Sequence, residues 1–96
     1  MPNVHHVKSW PQYFRAITTG QRTHDLRRND RDYKVGDTMI LEEFNPTTQA
    51  YTGHKCEVEI TSITSMSQPC AVSSEALDPA FCILSIRRAK ARAGIR

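Results

Sequence analysis

Thr23, Asp25 and Arg27 alternate with His24, Leu26 and Arg28 in a run that reads as a short strand. Side chains of an extended chain point alternately to opposite faces, so the hydroxyl, the carboxylate and the first guanidinium share one side. Leu26 is the one apolar residue in the run. A strand kept for core contacts would carry more than one apolar group on its inner face. This trio is instead suited to grip a polar ligand, the guanidinium offering a planar two-pronged fork to phosphate. The alternative is a neutralised pair on a solvated edge, where Asp25 and Arg27 would contribute only ~0–1 kcal/mol. If the stretch is catalytic, Thr23 is the candidate nucleophile and Asp25, with Glu42 or Glu43, the acid–base group.

Further cations surround the trio in sequence. Lys8, Arg22, Arg27, Arg28 and Arg31 are candidate phosphate contacts, and Tyr51, with Tyr33 and Trp10, candidate platforms for an unpaired base. Base–aromatic stacking contributes ~1–3 kcal/mol per base, enough to matter in single-stranded recognition.

Gly20-Gln-Arg-Thr-His-Asp-Leu-Arg27 follows a short amphipathic segment and precedes the Arg28–Asp32 loop, Val35-Gly36-Asp37 and Tyr51-Thr52-Gly53. In order and spacing these residues resemble the ASCH branch of the PUA-like superfamily, and within it a short bacterial and bacteriophage group. The likeness covers His5 to Ile63 well, the last strand loosely and the C-terminal tail not at all. It implies a small β-barrel and an RNA or nucleotide ligand, single-stranded or modified, held in a cleft between the first helix and the Thr23–Arg28 strand. ASCH-like proteins also include amidohydrolases of acylated cytidine-type nucleosides and ribonucleases, which makes a hydrolase using the same cleft the alternative. The hydrolase branch carries lysine where this chain has Arg22, and its threonine nucleophile where this chain has Asp25. Arginine stays charged and cannot serve as a base, so a lysine-activated hydroxyl is not carried over. A phage-type regulatory factor that docks on a protein partner is the third reading.

The elements that must position these residues follow from pattern. Val4 to Ser9 reads as a first strand. Pro11 suits the first turn of a helix, Trp10, Phe14 and Ile17 recur along one helical face, and Gly20 supplies the stop. So short a helix must dock that stripe on a sheet to be stable. Val35-Gly36-Asp37 launches a strand over Thr38 to Phe44, and one of Glu42 and Glu43 at its end turns inward. Asn45-Pro46 signals a turn and Tyr51-Thr52-Gly53 a second one. Lys55 to Thr64 alternates Cys56, Val58 and Ile60 with polar residues, and Phe81 to Ile86 reads as a central closing strand. A Ser-rich connection between them holds a turn of helix near Ser74 to Leu77. The expected fold is therefore α+β, mainly β: a small barrel of about five to six strands with one N-terminal helix packed at its mouth, the alternative being an open α+β sheet with the helix on one face.

Ninety-six residues allow one core, expected over residues 1–86, followed by a basic tail over 87–96. Five of the positive charges fall in that tail with no negative one, so the net +3 less these five leaves −2 elsewhere. Any basic patch on the domain must be local. Three cysteines without close pairing point to no disulfide framework and no metal site, and no cofactor motif is present. Cys56 and Cys82 read as small core residues. Neither a signal sequence nor a membrane span is visible, so no membrane partner and a cytoplasmic location are expected.

Overall fold

The computed structural model describes residues 2–89; the rest of the basic tail, Lys90 to Arg96, lies outside them. Seven elements follow in order: β1 (Val4–Ser9), α1 (Pro11–Thr18), β2 (His24–Arg28), β3 (Thr38–Asn45), β4 (Ala50–Ser65), α2 (Ser73–Ala76) and β5 (Phe81–Arg88). The strands form one five-stranded sheet in the order β1-β3-β4-β5-β2, curled into a half-barrel. β1 runs parallel to β3, and the other neighbours are antiparallel. The first and second strands are thus the two borders of the sheet.

Each border is placed by chemistry around it. Trp10 holds the extended backbone expected of a residue before proline, Pro11 takes the first helical position, and Gly20 at φ +82 ends the turn after α1. Phe14 and Ile17 are buried as the stripe requires, over β3. Trp10 stays part-exposed, its ring 5.9 Å from that of Phe44. Behind the helix, Met39, Leu41, Val58, Ile60, Cys82 and Leu84 line the concave side of the sheet. They alternate with outward residues, as a one-sided core demands. Burial pushes the thiol pKa of Cys56 and of Cys82 up, in keeping with an inert packing role.

Three expectations differ from what is found. Tyr51-Thr52-Gly53 is not a turn but the start of β4, which reaches back to Ala50; the chain reverses over Asn45 to Gln49, with Gln49 at φ +59. β5 runs through Arg88, two residues past the expected end of the closing strand, because Arg87 pairs with Glu59 and the Arg88 guanidinium donates to the Thr18 carbonyl at 2.7 Å. Tyr33, offered as a base platform, is buried, with its ring edge-on to His5 at 4.7 Å.

Candidate functional site

β2 presents a polar inner face. Asp25 is buried and Arg27 half-buried on that face, while Leu26 is 55% exposed on the other. The apolar residue therefore faces water and the ion pair faces the hollow. Arg27 Nε donates to Asp25 Oδ2 at 2.6 Å, which aims the guanidinium away from its own strand. Its Nη2 then donates to the Lys8 carbonyl at 2.6 Å, and Arg31 Nη1 donates to the His6 carbonyl at 2.9 Å. Carbonyls of successive residues in a strand point to opposite sides. Those of His6 and Lys8 look out of the border of β1, away from β3, and the guanidiniums of Arg27 on β2 and of Arg31 in the loop after it occupy them. The wall that strand pairing leaves open between β1 and β2 is bridged by side chains.

Beside this bridge lies a cavity of about 290 Å³ lined by His6, Lys8, Arg27, Arg28, Arg31 and Tyr51, with Asp30 and Tyr33 also in its wall. Four cations meet there against Asp30 and the Asp25 carboxylate behind Arg27. Lys8 Nζ sits 4.3 Å above the Phe44 ring and the Arg28 guanidinium 5.1 Å from the Phe81 ring, so aromatic faces hold both chains in place. Burial raises the Tyr33 phenol pKa, with Arg27 and Arg31 opposing the rise, and the ring enters as a neutral wall.

The predicted residues divide between two places. Lys8, Arg27, Arg28, Arg31 and Tyr51 converge on this cavity, and Asp25 supports it through Arg27. Arg22 and Thr23 lie elsewhere, in a cavity of about 310 Å³ beside Ile17, Gly20 and Arg88 at the end of α1. Arg22 stacks on Tyr13 at 4.5 Å, and its buried Nε has no hydrogen-bond partner among the described residues. The cavity that gathers the cations thus opens between β1 and β2, while the one at the end of α1, where the cleft was expected, holds Arg22 and Thr23. The Thr23 backbone carbonyl accepts from Ile86, and no acid or base among the described residues hydrogen-bonds its hydroxyl.

Two polar clusters were not anticipated. At one end, Asp37 is buried and accepts from His5 Nε2 at 2.8 Å, Asn3 N at 3.0 Å and Lys34 N at 3.0 Å. Burial works to raise its pKa, yet these three donors outweigh it and hold the carboxyl below its ordinary value. At the other end, the β3–β4 ladder slips between Glu42 and Phe44, so that Glu43 faces Thr52-Gly53-His54. Of the two adjacent glutamates, Glu43 is the one that turns inward, at 4% exposure. Its Oε1 accepts from Thr52 Oγ1 at 2.6 Å and from His54 Nδ1 at 3.1 Å. The Thr52 hydroxyl lowers the Glu43 pKa most, burial opposes it, and His54 and Arg15 lower it further. The signal available in sequence was Gly53 beside two polar residues opposite a double glutamate, a pattern that fits a bulge as well as a turn.

Residues 4–86 match a family described as a domain of unknown function (DUF3850). The chain is also 37% identical over 67 residues to a protein of Escherichia phage P2 described as an uncharacterized 12.9 kDa protein in the GpA 3′ region. The match spans 70% of this chain and 60% of the length of that phage protein. No helix among the described residues is long and apolar enough to cross a membrane.

Proposed function

We propose that this chain, which belongs to the DUF3850 family, is a small RNA- or nucleotide-binding module whose ligand phosphates sit in the cavity between β1 and β2. The observation that carries the reading is the convergence of Lys8, Arg27, Arg28 and Arg31 on one hollow, in a domain that carries net negative charge outside its last ten residues. Such local concentration raises the mutual repulsion of the cations, and a bound polyanion relieves it. Tyr51, 53% exposed at the rim, offers a ring face for stacking. The resemblance to ASCH-type domains supports the same ligand class.

The test is fluorescence anisotropy with a labelled single-stranded RNA of mixed sequence, titrated at several salt concentrations. Four phosphate contacts predict a log–log slope of about −3 for a single strand. Arg28→Ala and Lys8→Ala, both at exposed positions, each lower that slope by about 1 and weaken all sequences alike. Unchanged binding in both variants, with complete loss on removal of residues 89–96, would place binding in the tail and defeat the reading.

A further inference from the structure

We propose that the hollow at the β3–β4 bulge is a nucleobase subsite selective for guanine, with Glu43 as the residue that reads it. The inference rests on the phosphate reading of the neighbouring cavity and assigns the base that accompanies the phosphate.

The bulge hollow has a volume of about 250 Å³ and is lined by Glu42, Glu43, Tyr51, Gly53, His54 and Lys55. Tyr51 lines this hollow and the cationic one alike, so the two share a wall. They are joined again where His6 Nδ1 meets Glu42 Oε2 at 3.4 Å, one residue belonging to each hollow. A single nucleotide with its phosphate among the four cations can therefore reach past Tyr51 with its base. The Tyr51 ring is set edge-on against Phe44, 5.0 Å between centroids, which fixes the ring and leaves a face for stacking.

Which base fits is decided by Glu43. Both of its hydrogen bonds fall on Oε1, and Oε2 has no partner among the described residues. Thr52 and His54 keep the group ionised, so it is acceptor-only. Lys55 and Glu42 flank the hollow and Arg15 approaches Glu43 from α1. Guanine presents a ring N–H and an amino group side by side, two donors that can converge on Oε2, whose acceptor sites are open while Oε1 keeps Thr52 and His54. Uracil offers one N–H between two carbonyl oxygens, which a carboxylate repels. Adenine and cytosine place a ring acceptor beside their amino group and meet the same repulsion in part. Gly53, at φ +95 and with no described residue beyond its own chain neighbours within 4 Å of where a Cβ would stand, leaves the approach open.

The experiment displaces labelled single-stranded RNA from the wild-type protein with the 5′-monophosphates of guanosine, inosine, cytidine and uridine. A matched pair of hydrogen bonds to one base is worth about 5- to 150-fold in discrimination, so the guanosine nucleotide displaces at roughly five- to a hundredfold lower concentration than the uridine one. Inosine, lacking the amino group, falls between them. Glu43→Gln abolishes the preference, weakening guanosine and, by lifting the repulsion from the uracil carbonyls, strengthening uridine until the two displace alike. The inosine arm needs no substitution and keeps the test decisive should that variant not fold. Equal displacement by guanosine and uridine nucleotides overturns the guanine subsite and leaves phosphate binding standing. RNA that never binds the wild type overturns the phosphate reading, and the subsite with it.

Discussion

Replacing Asp37 by alanine tests how the β1 end of the sheet is held. The Asp37 carboxylate ties together three segments distant in sequence: Asn3 and His5 at the start of the chain, and Lys34 in the loop before β3. Asp37→Ala leaves all three donors without that acceptor. An unsatisfied buried donor costs ~1–3 kcal/mol, and the two backbone N–H groups, only part-buried, regain water. The full penalty falls on the buried His5 ring alone, and the sum is about 1–3 kcal/mol. A domain of this length is stable by about 5–14 kcal/mol, so the loss is a large fraction of the total. Asp37→Asn keeps the shape and one acceptor oxygen and costs roughly half as much. Equilibrium urea unfolding at neutral pH, followed by Trp10 fluorescence, reads both values through the midpoint at constant m. The sign with pH follows from the depressed carboxyl. Its contribution is complete above the unfolded value of ~3.9 and is lost as pH falls through the lower folded one. The midpoint of Asp37→Ala therefore declines less steeply below about pH 4 than that of the wild type. A cost under ~1 kcal/mol would show that water replaces the carboxylate and that the cluster holds nothing.

Other substitutions have equally definite outcomes in the same urea assay. Gly53→Ala costs about 1–2 kcal/mol from backbone strain alone, since φ is +95 and an added methyl would meet no neighbour. Leu84→Ala, at a position with no exposure, costs ~2–5 kcal/mol. Leu26→Ser, on the outer face of β2, stays within ~0.5 kcal/mol of the wild type although it removes the strand's sole apolar side chain.

Period-two alternation made much of this fold legible. Val4–Ser9 and the apolar half of β4 are where the sequence places them, and Asp25 and Arg27 do share an inner face because strand geometry leaves no other choice. What lies across from that face was not legible. β1 reaches it only by pairing in parallel with β3, more than thirty residues away, and no local pattern encodes that partnership. The same separation hid His5 with Asp37. Thr23 was grouped with Asp25 by parity alone, yet it lies before β2 begins, at the helix end and beside a different hollow. Tyr51-Thr52-Gly53 misled because a positive-φ glycine serves a bulge and a turn equally.

The guanidinium bridge also bears on how this protein behaves in concentrated solution. A bordering strand with bare carbonyls is a template on which a second chain can crystallise into a shared sheet, and natural sheets blunt such borders with proline, lysine or a kink. Here the outward carbonyls of His6 and Lys8 are already claimed by arginines from the far border strand and the loop that follows it. Losing Arg27 or Arg31 would unmask that template, so such variants should self-associate at protein concentrations where the parent stays monodisperse, and before any loss of helix or strand is detectable.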